Sequence, residues 1–199
     1  MSIYHTIKEK SEGLYKEKGS KFLAFAYPVK SEVEIKEIQE SLRKEYYDAR
    51  HHCFAWVLGM DDQSYRANDD GEPAHSAGDP ILGQIRSFEL TNVLVVVIRY
   101  FGGTKLGVGG LINAYKTATE AALSNADKKA IYETSQITMN FSYEMMSVVE
   151  RIIVEFNISI IERDFQMSCR IEGVIKSDML DVFREKTSDL YAIDFEIKE

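Results

Sequence analysis

The longest apolar run in the chain is six residues, Val93 to Ile98, rich in β-branched side chains. A run of that length and type predicts a strand buried on both faces. Five of the twelve glycines follow within nine residues: Gly102, Gly103, Gly107, Gly109 and Gly110. Leu111, Ala114, Tyr115, Ala118 and Ala122 then recur at helical spacing, so the glycine loop empties into a helix that runs to about Asn125. Upstream, the pattern predicts a hairpin from about Glu12 to Val29, turning at Lys18-Gly19-Ser20. A Ser31/Glu34 capping box opens a helix with Ile35, Ile38, Leu42 and Tyr46 on one face. His51 to Leu58 reads as a strand with Phe54, Trp56 and Leu58 on one side. Gly59 to Asp79 reads as irregular, and a short helix follows from about Pro80 to Phe88.

Asp127-Lys128-Lys129 is a polar break, which places a domain boundary there and predicts domains 1–129 and 130–199. In the second domain Ile137, Met139, Phe141 and Tyr143 alternate with polar residues, a one-sided strand. Met145, Val148, Val149, Ile152, Ile153 and Phe156 form a helical stripe, and Ile158 to Ile161 a short strand. Phe165, Met167, Cys169 and Ile171 alternate again; Ser177 is placed to cap a helix bearing Met179, Leu180 and Phe183; Tyr191, Ile193, Phe195 and Ile197 make a last strand. The order β-α-β-β-α-β is that of the ferredoxin-like split motif, one antiparallel sheet with two helices on one face, and the whole chain is α+β.

Composition narrows the setting. With no apolar run beyond six residues and an N-terminus, MSIYHTIKEK, that lacks an apolar signal core, a cytoplasmic protein without a membrane span is expected. Cys53 and Cys169 lie far apart and read as buried thiols. The net charge of −8 is uneven: residues up to Ala130 carry 17 Lys and Arg against 18 Asp and Glu, those from Ile131 on 7 against 14. Such a chain is a poor non-specific binder of nucleic acid, which is held through Lys and Arg. The one dense basic cluster, Lys8, Lys10, Lys16, Lys18 and Lys21, is diluted by Glu9, Glu12 and Glu17 and reads as a solvated hairpin surface.

Two segments carry candidate chemistry. The glycine loop fails both phosphate templates: Val108 and Gly109 stand where a triphosphate loop needs Lys and Ser or Thr, and Ile112 takes the last glycine position of a dinucleotide fingerprint. Its glycines serve either close packing or a ligand, and both readings stand. In the acidic loop, Asp69, Asp70, Glu72, His75 and Asp79 supply oxygen and nitrogen ligands suited to a cation. Their spacing matches neither an EF-hand nor an H-E-x-x-H pair, and Asp70-Gly71 is also an ordinary turn. Asp69, Asp70, Glu72 and His75 are therefore the metal candidates, beside the plain turn reading. His51 and His52 point to opposite faces of a strand, and read as satisfied strand-edge histidines or, for one of them, as a titrating group or a partner of the acidic loop; Cys53 reads as buried and not nucleophilic. No G-x-S-x-G elbow is present, and nothing calls for a cofactor.

NDDGEPAHSAGDPIL (Asn68 to Leu82) and NVLVVVIRYFGGTKLGVGGLINAY (Asn92 to Tyr115) closely resemble the two signatures of the IMPACT/YigZ family, DDGEPxGTAGxPIL and VVVxRYFGGxxLGxGGLxRAY. ARHHCFAW (Ala49 to Trp56) fits the strand that precedes them. The resemblance implies a first domain similar to the ribosomal-protein-type fold of domain IV of elongation factor G, and a second similar to that factor's domain V. It implies a non-enzymatic, translation-associated protein whose partner is the ribosome, RNA or a translation-related protein. The implied binding surface comprises Arg50, His51 and His52; Asp69, Asp70, Gly71, Glu72 and Pro73; and Arg99, Tyr100, Phe101, Gly102, Gly103, Lys105, Gly107, Gly109 and Gly110. Some relatives have carried a proline dipeptidase label; a dinuclear peptidase needs about five spaced ligands, and only the acidic loop offers any. A metal-dependent hydrolase built on that loop and a nearby histidine is the alternative. Three positions depart from the family pattern: His75 and Ser76 replace Gly and Thr, and Asn113 replaces a Lys or Arg at the start of the helix.

Overall fold

The computed structural model describes residues 3–60, 64–166 and 168–198. The chain is mixed α and β and divides into two compact units, Tyr4–Ile131 and the residues from Tyr132 on, the latter taking in Ile3 as well.

In the first unit the elements run β1 (Ile3–Ile7), β2 (Ser11–Glu17), β3 (Ser20–Pro28), α1 (Glu32–Glu45), β4 (His51–Leu58), β5 (Ser64–Asn68), α2 (Gly78–Ser87), β6 (Val93–Tyr100), α3 (Gly107–Ser124) and β7 (Lys128–Tyr132). A five-stranded antiparallel sheet has the order β2-β3-β6-β4-β5. The apolar run is thus the central strand. Val93, Val95 and Val97 face a core shared with α2 and α3; Leu94, Val96 and Ile98 face a second core under α1. Helices on both faces explain why this antiparallel strand lacks the usual one-sided alternation. Phe54, Trp56 and Leu58 lie together on the α1 side, as their spacing predicts.

Local rules set the boundaries. Lys18 and Gly19 both take positive φ, the conformation of a two-residue turn that matches strand twist. Ser31 Oγ accepts from the Glu34 amide at 3.3 Å, while Glu34 reaches back past the cap to the Lys30 amide at 2.8 Å. Ser31→Ala is expected to lower stability by about 1 kcal/mol, read by urea denaturation; no change would show that Glu34 alone holds this end.

Three strands escape the periodic pattern. β5 lies within the segment expected to be irregular; its side chains are exposed or half-buried, so no apolar alternation marks it. β1 and β7 form a separate two-stranded ribbon, and Lys128 and Lys129, expected to form a break, begin β7. Backbone pairing, with Lys8 N–H donating to Asp127 at 2.9 Å, settles these residues where hydrophobicity is silent.

The second unit runs β8 (Thr134–Phe141), α4 (Met146–Glu155), β9 (Ser159–Phe165), β10 (Cys169–Lys176), α5 (Leu180–Thr187) and β11 (Ile193–Lys198). Its antiparallel sheet has the order β11-β8-β10-β9, and one core joins the strands to both helices. Details differ from the sequence reading. Tyr143 leaves the strand for a 3-10 turn, Phe165 ends β9 and does not open β10, and Tyr191 lies outside β11, fully in solvent. Ser177 caps no helix; its hydroxyl bonds that of Ser135 at 2.9 Å. Met167, expected in the alternating strand, lies outside the described residues.

Candidate functional site

The acidic loop is a built structural element whose carboxylates are each spent on a different neighbour. Asp70 and Gly71 take positive φ and close a tight turn in which the Glu72 amide donates to the Asp69 carbonyl at 2.9 Å. Asp69 accepts from the amides of His75, Ala77 and Gly78 at 2.8–2.9 Å. The cap residue of α2 itself, Ala77, makes no side-chain bond, so an aspartate eight residues upstream caps this helix. Asp70 accepts from Arg43 at 2.8 Å and from the His52 amide at 2.7 Å, tying the turn to α1 and β4. Its carbonyl meets His51 Nδ1 at 2.9 Å.

Glu72 turns inward. Its Oε1 accepts from Arg99 Nη1 at 2.6 Å and from the Tyr115 hydroxyl at 2.8 Å, with only 4% of the Glu72 side chain and 8% of the Arg99 side chain exposed. One carboxylate oxygen thereby joins the acidic turn to the end of β6 and to α3. The Arg99 guanidinium also lies 5.5 Å from the Phe22 ring and 5.7 Å from that of Phe101. Cys53 Sγ sits beside the same group, 3.0 Å from the Asp69 carbonyl and 3.3 Å from the Tyr115 hydroxyl. Burial pushes the Cys53 thiol and the Tyr115 phenol well above their ordinary values, so both stay protonated as donors.

Burial alone would raise the carboxyls of Asp69 and Asp70, but hydrogen bonds outweigh it. The amides of Gly78, His75 and Ala77 hold Asp69, and Arg43 with the His52 amide holds Asp70, below the usual 3.8. The unfolded chain regains the ordinary value. The stabilisation is therefore complete above that value and is lost as pH falls through the lowered folded ones. Stability should fall below about pH 4, and Asp69→Asn should flatten that acid limb in urea titrations. An unchanged limb would show that Asp69 does not contribute to it. His52 is held low by burial and by Arg43 nearby.

The four metal candidates are not brought to one point. His75 pairs with Asp79 at 2.6 Å, while Asp69, Asp70 and Glu72 point to α2, α1 and α3 respectively. Among the described residues no three His, Cys, Asp or Glu are grouped to hold an ion. The cross-strand register puts His51 and Cys53 on the Arg99 side of the sheet and His52 on the opposite side. Arg99, which the resemblance assigns to the binding surface, is buried in its ion pair; Lys105 and Arg50 remain exposed. Tyr100 donates to Asp48 at 2.7 Å, and that bond pushes its phenol up to about 12.

The glycine loop divides by role. A Cβ on Gly102 would stand 1.9 Å from the Gly19 carbonyl carbon and 2.1 Å from the Ser20 nitrogen, so this glycine lets the loop dock on the β2–β3 turn. The Gly102 amide donates to Ser20 Oγ there at 3.1 Å. Gly103 and Gly107 take positive φ. Gly109, in the first turn of α3, needs no left-handed backbone and has nothing within 4 Å of where a Cβ would stand. Around this bare backbone Phe101 is 56% exposed and Val108 52%, with Ile112 one helical turn beyond Val108.

Sequence reasoning missed four partners: Arg43, Gly19, Asp48, and Tyr115 in its role as donor to Glu72. Tyr115 carried a signal, as the one tyrosine in the alanine-rich inner stripe of α3.

Residues 18–123 match the model of the Impact N-terminal domain. The chain is 30% identical over 196 residues to the IMPACT family member YvyE of Bacillus subtilis, covering 98% of this chain and 90% of that protein. It is 32% identical over 174 residues to the IMPACT family member YigZ of Escherichia coli, covering 86% and 85%. A solved crystal structure, described only as that of a hypothetical protein, is similar at a TM-score of 0.73 with 29% identity, covering 100% of this chain and 97% of that one. No helix among the described residues is long and apolar enough to cross a membrane.

Proposed function

As the chain belongs to the IMPACT family, we propose that it is a non-enzymatic binding protein of the translation apparatus, docking the ribosome through the glycine loop that the acidic turn holds in place. The observation that carries this reading is the exposed glycine backbone at the start of α3, flanked by the exposed apolar side chains of Phe101 and Val108. Glycine in a helical turn costs up to about 1 kcal/mol relative to Ala. At Gly109 neither packing nor φ within the chain repays that cost, whereas close approach by a partner does. The role of the acidic turn follows from its bonds. Its carboxylates position the loop and α3 and leave no set free to activate water, which favours binding over hydrolysis.

In this reading the first unit is a counterpart of domain IV of elongation factor G. The second, with its β-α-β-β-α-β order, is a ferredoxin-like counterpart of domain V. The docked surface is ribosomal protein or shaped RNA rather than naked RNA, because a chain of charge −8 gains little from counterion release. The chain should pellet with washed ribosomes through a sucrose cushion at low salt. Folded protein that stays wholly in the supernatant would contradict the reading, and steeply salt-dependent binding to protein-free RNA would redirect it to naked RNA.

A further inference from the structure

On the opposite side of the same sheet, α1 leaves the margin uncovered. Among the described residues only the short edge strand β5 continues the sheet beyond β4, and a groove of about 330 Å³ opens between β5 and the first half of α1. Its floor is apolar, formed by Phe54, Trp56 and Ile35. We propose that this groove docks an extended acidic peptide that adds beside β5 and seats an apolar side chain over Trp56.

Four observations set the chemistry of the occupant. The volume falls at the lower end of the range for ligand sites, about 300–1,000 Å³, and the mix of an apolar floor with a few polar groups is theirs too. At the rim stand two cations, Lys36 and Arg66, against one acid, Glu32. Among the described residues neither cation has a carboxylate at ion-pair distance, although the whole chain carries a charge of −8. Gln39 lines the same groove and leaves its Nε2 enclosed with no acceptor. A peptide oxygen that draws the Gln39 side chain round into the groove would relieve a cost that native structures seldom carry. Last, β5 is the terminal strand of the sheet, so among the described residues the backbone groups on its outer edge have no strand partner.

The open edge selects a peptide over a small molecule. A strand added there gains main-chain bonds, and every second side chain points to the α1 side, where the groove lies. Arg66, which pairs with Trp56 across the strands, shares that side. Nucleic acid fits less well: two cations neutralise few phosphates, and Trp56, only 6% exposed, leaves little ring for a base to stack on.

Trp56 is the one tryptophan of the chain, so it reports on its own groove. The full chain is titrated with a ten-residue peptide of alternating Glu and Asp around a central Phe, with the same peptide carrying Lys in place of the acids, and with oligouridine. Trp emission and the side-chain amide signals of Gln39 are followed. The acidic peptide is expected to give a saturable shift in both, weakened about tenfold by Lys36→Glu with Arg66→Glu in a variant of unchanged Tm. No saturable response to millimolar acidic peptide, an equal response to the Lys peptide or to oligouridine, or binding indifferent to the double substitution would overturn the proposal. None of these outcomes bears on ribosome pelleting, which concerns the α3 side.

Discussion

Glu72→Ala is expected to lower the unfolding free energy by about 3–5 kcal/mol, a large part of what an ordinary domain has to lose. The substitution strands the Arg99 guanidinium, almost wholly buried, without its counter-charge, and takes the acceptor from the Tyr115 hydroxyl as well. Two anchors fail together, because one oxygen serves both. Glu72→Gln keeps an acceptor of the same shape and should lose less, while Glu72→Met combined with Arg99→Met removes both charges and should recover much of the loss. Urea unfolding followed by circular dichroism measures all three. A loss under about 1 kcal/mol for Glu72→Ala, the level of a solvent-exposed pair, would show that the ion pair does not hold the loop.

Gly102→Ala is the second large effect, and its cause is steric. The added methyl would meet the backbone of Gly19 and Ser20 at about half a normal contact distance, and no rotamer change can relieve a clash with main chain. A loss near 3 kcal/mol is expected, the upper part of the overpacking range, with amide shifts at Gly19 and Ser20 as the loop lifts from the hairpin. Gly109→Ala, in the first turn of α3, should instead raise stability by about 0.5–1 kcal/mol. If both substitutions proved equally costly, the division of the glycines into packing and surface positions would be wrong.

How far the sequence discloses the protein depends on where apolar residues mark the structure. Val93 to Ile98 declares its own burial on both sides, and alternation puts Phe54 and Trp56 on one side of their strand; that α1 covers that side is seen only in the structure. β5 and β7 are invisible to the same reasoning, since backbone pairing and not side-chain burial fixes an edge strand such as Ser64–Asn68. At the site, the turn at Asp70-Gly71 is legible because it needs φ > 0, and Gly71 and the left-handed Asp70 supply it. The destinations of the carboxylates are not. The crowding of acids in the loop leaves a shared ion open as a reading, yet Asp69 reaches forward to α2, Asp70 across to Arg43 and Glu72 down to Tyr115, contacts spanning 8 to 43 positions in the chain. Arg99 shows the same limit: adjacency to the glycine loop in sequence says nothing of the direction of its side chain, which a glutamate 27 residues earlier decides.

Whether the bare backbone at the start of α3 serves recognition is decided by Gly109→Ala, because the same methyl that favours the helix obstructs a close partner. Sedimentation with washed ribosomes, wild type against variant, with the Tm of each recorded, is the measurement. The expected result is a variant at least as stable as the wild type that pellets at least tenfold less well, a difference of about 1.4 kcal/mol in binding. A Gly109→Ala protein that pellets as the wild type does would contradict it.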